Sequence, residues 1–183
     1  VSADNSEFSE TLQQCWARLG IPIELIVDRG LPVFREAHTL EVAETGADGR
    51  QHYLVPEAAA AWSVMKAAAL TDAVNIHIVS AHRSVARQTE IVGRKLEAGQ
   101  TLEQIFAVSA PPGCSEHHTG RAVDIGTPEA PALETDFELT PAWNWLQAHA
   151  AGFGFTLTYP EGNRWGYSYE PWHWCFRETP VES

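Results

Sequence analysis

Three of the chain's eight histidines fall in two short polar-aromatic segments, Ser115-Glu116-His117-His118-Thr119-Gly120-Arg121-Ala122-Val123-Asp124 and Glu170-Pro171-Trp172-His173-Trp174. A catalytic zinc ion takes three protein ligands of the imidazole and carboxylate type and keeps a fourth position for water. His117, Asp124 and His173 would supply such a set, one ion per chain. An ion held there acidifies water and polarises a scissile carbonyl. A carboxylate must then take the water proton and pass it to the leaving amine, and Glu170 is the candidate. Because Glu170 precedes Pro171 it avoids the helical region, so Glu170 and His173 do not form the helical His-Glu-x-x-His arrangement. Loops and strands from distant parts of the chain must bring the ligands together.

The elements that would do so are legible in the periodicity. Phe8, Leu12, Cys15, Trp16 and Leu19 recur at helical spacing, which predicts a helix over residues 6–19 stopped by Gly20. Residues 21–55 read as extended and broken by Pro22, Pro32 and Gly46, with a hairpin of Leu40-Glu41-Val42 and Tyr53-Leu54-Val55 around Asp48-Gly49. Pro56 opens an Ala-rich helix to about Leu70. Val74, Ile76 and Ile78 alternate as a strand, and Ser84 caps a helix that runs to about Ala98. A short helix fits residues 101–107.

Residues 109–126 form a Pro/Gly-rich loop that leads into Ala122-Val123-Asp124-Ile125, and 127–139 read as an acidic surface loop. Thr140-Pro141 starts a helix ending at Gly152. Phe153, Phe155, Leu157 and Tyr159 alternate as a strand, Asn163 to Gly166 make a turn, and Trp172 to Phe176 form the last strand. This order predicts an α+β fold, one small domain spanning 1–183, with helices packed on a central antiparallel sheet. Residues 1–50 stand ahead of it as an extension of unassigned role.

The chain has 183 residues and a formal net charge of -12. That field repels phosphate backbones and argues against nucleic acid partners. No apolar run is long enough to span a membrane. The chain opens on Val1 without a charged-then-apolar leader, as a processed product would, which permits export.

The first segment resembles the Ser-x-His-x-x-Gly-x-Ala-x-Asp motif of the zinc D,D-carboxypeptidases of the VanY type, and Glu-Pro-Trp-His-Trp is similar to that family's Glu-x-Trp-His motif. Ser80-Ala81-His82-Arg83-Ser84 with Gln88 resembles its Ser-x-x-Arg-Ser…Gln segment. The likeness runs from about residue 75 to 177, with the motifs in the family's order. It implies His117, Asp124 and His173 as zinc ligands, Glu170 as general base, and Arg83 as the cation that steadies the carbonyl oxygen. It also implies Ser115 and Gln88 as groove residues that contact substrate. The implied reaction is removal of a terminal D-alanine from a peptidoglycan stem peptide, in a periplasmic or other extracytoplasmic setting. An L,D-carboxypeptidase, a wall endopeptidase and a non-catalytic zinc-containing binding domain are the alternatives. Retention of both Glu170 and Arg83 favours catalysis over the last of these.

Cys175 stands where relatives often carry arginine. Cys114 and Cys175 each lie close in sequence to a ligand histidine, so a disulfide between them is one expectation, suited to an oxidising compartment. His118, next to His117 in a segment read as extended, should point the opposite way, either supporting the site from behind or lying on the surface, and not bind the metal. His38, His52 and His149 should be exposed, and His77 and His82 structural or on the surface.

Overall fold

The computed structural model describes residues 8–177. Helix α1 (Glu10–Arg18) starts where Ser9 accepts a bond from the Leu12 N–H, and it buries Cys15 and Trp16. A second helix, α2 (Ile23–Asp28), follows Pro22 and buries Ile26. Sequence reading took this stretch as extended; at six residues the helix is too short for its period to stand out, and packing of Ile26 decides it. The hairpin is present as β1 (Glu41–Thr45) and β2 (Gln51–Leu54). Helix α3 (Pro56–Thr71) begins on Pro56 and buries Trp62 and Met65.

Strand β3 (His77–Ser80) lies a few residues later than Val74-to-Ile78 alternation suggested. Val74 instead closes the end of α3, its N–H donating to Ala69 O. Helix α4 (Val85–Glu97) carries its expected cap, Ser84 to the Arg87 N–H, and α5 (Leu102–Ala107) starts on a Thr101–Gln104 capping box. Strand β4 (Ala122–Gly126) is buried at every position. The acidic loop closes with a 3-10 turn, Thr135–Leu139, that buries Phe137. Helix α6 (Pro141–His149), capped by Thr140, passes through a second 3-10 turn, Ala150–Phe153. The alternation that follows yields only a short strand, β5 (Phe155–Leu157), and the chain returns in β6 (His173–Phe176).

These elements make an α+β fold whose sheet runs in the order β3-β4-β6-β5, antiparallel at each pairing. Alternation along β4 and β6 divides the sheet's faces. Val123, Ile125 and Trp174 join α3 and α6 residues such as Trp62, Met65, Trp145 and Leu146 in one core cluster. Ala122, Asp124, His173 and Cys175 point to the other face. A second cluster collects Trp16, Ile26, Leu31, Val92, Ile105, Phe106, Tyr159 and Tyr167. Residues ahead of the hairpin thus share a core with α4 and α5. No helix among the described residues is long and apolar enough to cross a membrane.

Candidate metal centre

The register of β4 on β6 sets Asp124 directly opposite His173. Opposed residues of an antiparallel pair share a face and lie within side-chain reach. His173 Nδ1 stands 3.0 Å from Asp124 Oδ1. His117 arrives from a 3-10 turn, Glu116–Thr119, with its Nε2 3.2 Å from Asp124 Oδ2 and its ring at 87° to that of His173. The turn ends on Gly120 at φ 64°, where an added Cβ would lie 2.9 Å from Leu40 Cδ2 and 3.2 Å from the Val55 nitrogen. Glycine is needed there both for the left-handed backbone and for the close approach of the hairpin.

The donor atoms of His117, Asp124 and His173 all lie within 4.8 Å of one another, and the three residues are buried. Their outer atoms are already committed. His117 Nδ1 donates to Ala81 O at 2.7 Å, and His173 Nε2 lies 3.1 Å from Glu116 Oε2. The other nitrogen of each ring faces Asp124, where a proton or a cation can be shared between imidazole and carboxylate. An imidazole, carboxylate and imidazole donor set with its tautomers fixed from behind is what a divalent zinc site requires.

The site's electrostatics agree. Burial opposes ionisation of Asp124, but the two histidines beside it hold its carboxyl far below the usual range. Burial pushes His117 down toward the neutral form that binds metal. At His173 burial also acts downward, yet hydrogen bonds to Asp124 and Glu116 prevail and raise its proton affinity. A cation at that nitrogen takes the place of a proton.

The remaining predicted residues divide between the cavity and its supports. A cavity of about 240 Å³ is lined by Arg83, Ser115, His117, Asp124, Glu170 and His173, with Tyr159, Tyr167 and Trp172 among its walls. Glu170 lies 3.9 Å from His173 Nδ1, and burial pushes its carboxyl up to about 7. Arg83 is held by Gln88 Oε1 at 3.1 Å and Ser80 Oγ at 3.0 Å. Gln88, expected in the groove, is fully buried; its amide nitrogen donates to Ala110 O at 2.6 Å, and it sits behind Arg83 rather than in the cavity wall.

Two expectations change and one is narrowed. His118 takes the supporting place and not the surface: the segment is a 3-10 turn, and the ring is buried. Its Nδ1 donates to Arg83 O at 2.6 Å and its Nε2 accepts from the Gly113 N–H at 3.1 Å, tying the arginine's backbone to the ligand loop. His52, on β2, is buried and not exposed. Cys114 and Cys175 are free thiols: Cys114 packs in the cluster around Trp16 and Tyr167, while Cys175 sits on β6 between Ala122 and Thr156.

Glu116 escaped sequence reading. It is 3% exposed, supports His173 and accepts an ion pair from Arg177. Its position beside His117 in a motif segment was the available signal, since metal-binding histidines as a rule have a carboxylate or carbonyl behind them.

Comparison with known proteins converges on one group. The family model described as VanY, D-alanyl-D-alanine carboxypeptidase, matches residues 51–179. A Bacillus subtilis (strain 168) protein named as a carboxypeptidase, YodJ, is 35% identical over 132 residues, which are 68% of this chain and 46% of that protein. The chain therefore spans under half of that relative's length. Among solved structures, the LdcB LD-carboxypeptidase is similar with a TM-score of 0.70 and 30% identity, over 79% of this chain and 71% of the other. A vancomycin-resistance D,D-pentapeptidase VanY variant solved in complex with Zn(II) gives a TM-score of 0.57 and 27% identity, over 75% and 78%.

Proposed function

The chain belongs to the VanY family of D-alanyl-D-alanine carboxypeptidases, and we propose that it is a zinc-dependent D,D-carboxypeptidase that releases the terminal D-alanine of peptidoglycan stem peptides outside the cytoplasm. The observation that carries this reading is the convergence of three buried donor atoms, Glu170 and Arg83 on one cavity of about 240 Å³. The related VanY variant holds Zn(II), and the donor set here fits the same ion.

A zinc ion at His117, Asp124 and His173 supplies Lewis acidity, polarising the scissile carbonyl and acidifying water. The chain's own groups do the rest. Glu170, raised to about 7 by burial, is poised to accept a proton near neutrality and return it to the departing amine. Burial disfavours charge on Arg83, yet a guanidinium remains protonated, and its two anchors aim it into the cavity as oxygen gains negative charge. Ser115, 4% exposed at the cavity wall, offers a hydroxyl to the peptide.

A second reading is L,D-cleavage of a tetrapeptide, favoured by the similarity to the LdcB LD-carboxypeptidase. Both reactions release D-alanine, so the substrate separates them. Metal content and D-alanine release from pentapeptide and tetrapeptide stems, measured on one preparation, test both. Near one zinc per chain with pentapeptide cleavage is expected. Tetrapeptide cleavage alone moves the assignment to the L,D-enzyme. Zinc with neither activity points to an endopeptidase or a binding domain, and a metal-free protein that cannot be loaded overturns the reading.

A further inference from the structure

Arg83 and Leu133 line two cavities at once. Beyond the metal centre they border a second groove of about 500 Å³, between the β2 edge and the start of α4. Arg50 and Arg87 lie along it with Arg83, and none of the residues lining it is acidic. The whole chain carries 12 lysines and arginines against 24 aspartates and glutamates. A quarter of its cations therefore converge on one groove of a strongly anionic protein, directly beside the reaction cavity.

Two of these arginines have little else to do. Arg50 is exposed at the end of the hairpin turn, where its backbone N–H donates to Asp48 Oδ1 at 2.9 Å and its carbonyl accepts from the Gly46 N–H at 2.8 Å, which leaves the guanidinium facing solvent. Arg87 meets Glu90 at 2.6 Å, but the two side chains are 50% and 61% exposed, where such a pair is weak and readily exchanged. His52, by contrast, is pushed down by burial and adds no charge at neutral pH. The floor between the arginines holds Tyr53, Val79 and Ile91.

The connection to the metal centre fixes what the groove can receive. A carboxypeptidase substrate ends one residue beyond the scissile bond, so only its amino-side portion continues out of the reaction cavity. Arg83, placed to meet the scissile carbonyl, stands at the junction. Leu133, a non-glycine residue held at φ 60° and 42% exposed, forms the other side of that neck.

Resting on the carboxypeptidase reading, we propose that this groove is a subsite for a carboxylate-bearing peptide segment on the amino side of the scissile bond, recognised by Arg50 and Arg87. Planar guanidinium groups pair with carboxylates through two parallel hydrogen bonds. The preferred substrate is then an acidic stem peptide rather than its amidated form.

The test compares two peptides of equal length ending in D-alanyl-D-alanine, one with free side carboxylates ahead of that dipeptide and one with them amidated. Their binding to the zinc-loaded Glu170→Gln protein is measured by calorimetry. The free-carboxylate peptide should bind about tenfold tighter, the scale of two partly exposed charge pairs, and the preference should shrink with added salt. Adding Arg50→Gln and Arg87→Gln together should erase it, each alone reducing it in part. In the otherwise wild-type chain, the same double change should leave zinc content and cleavage of a short neutral N-acyl-D-alanyl-D-alanine unaltered. No preference in the parent protein, or an equal preference after both substitutions, overturns the proposal. Failure of the wild-type protein to cleave the short neutral peptide counts against the carboxypeptidase reading; an arginine-dependent carboxylate preference in that case still upholds the subsite.

Discussion

The floor and the wall of the cavity are built by different means. Asp124 and His173 belong to adjacent strands, and their mutual placement follows from the β4–β6 register. His117, Ser115 and Arg83 come from loops, and each is held by cross-ties: the Arg83 N–H to His117 O at 3.1 Å, the Ala37 N–H to His118 O at 2.8 Å, and the Phe34 N–H to Gly113 O at 2.8 Å. Trp16 Nε1 adds a bond to Pro112 O at 2.8 Å. A register-fixed ligand can be disturbed only through its own side chain, or by unfolding the sheet. A loop-fixed group can be disturbed from far away. The two regions should therefore fail differently: metal loss marks Asp124, His173 and the loop-borne His117, and slow turnover with metal in place marks the other wall groups.

The largest break comes at the floor. Asp124→Asn removes the anionic ligand between two histidines, and it should abolish both zinc retention and D-alanine release while the folded spectrum persists. Metal analysis after gel filtration checks it; a stoichiometric zinc content would remove Asp124 from the ligand set. Glu170→Gln belongs to the wall and should separate the two readouts. Turnover should fall by about 10² to 10⁴, the usual contribution of a positioned base, with zinc unchanged. Unaltered activity would refute the base assignment.

Arg83 and its support sharpen the comparison. Arg83→Ala should lower turnover by about 10² to 10³, as loss of a group stabilising an oxyanion does, and leave zinc in place. Gln88→Ala should show a smaller loss of the same kind, because it frees the guanidinium from one of its two anchors without deleting the charge. Equal losses of metal and activity in both variants would make Arg83 a purely structural residue.

Acid should divide the regions once more. Burial raises Glu170 to about 7, so its base form is lost as pH falls through that value, or lower where a bound cation draws it down. Metal leaves only when protons compete for the histidine and aspartate ligands, below about pH 5 to 6 on ordinary side-chain values. Between these points activity should decline while zinc stays bound. A zinc content flat to pH 4 would contradict the His-Asp-His ligand set.

The legibility of the sequence followed the same division. The gathering of His117, Asp124, His173 and Glu170 at one cavity, and the strands under Asp124 and His173, could be read because motif spacing and alternation survive in a linear chain. The helices α3 and α4 were legible from Pro56 at the first helical position and from the Ser84 cap, which act locally. What was lost was tertiary. Helix α2 is too short for a period, Gln88 lies behind Arg83 and not in the groove, and nothing in a linear chain separates a supporting place for His118 from a surface one. Glu116 stayed silent because its role depends on His173, far along the sequence.

The smallest effect tests whether the N-terminal elements reach the site. Trp16 is 1% exposed, and its ring packs with Ile26, Ile105 and Phe106 while its indole N–H holds Pro112 O. Pro112 opens the loop that carries Gly113, Ser115 and His117. In Trp16→Phe the apolar packing is largely kept but the carbonyl loses its donor, at a cost of about 1–3 kcal/mol for a buried group left unpaired. Stability should drop by that amount in denaturant titration. If the wall is held from outside, turnover should fall several-fold and zinc should be held more weakly through His117, while Asp124 and His173 keep their register. A stability loss with unchanged turnover would show that α1 only fills the core, and that the ties at Phe34 and Ala37 hold the ligand loop without it.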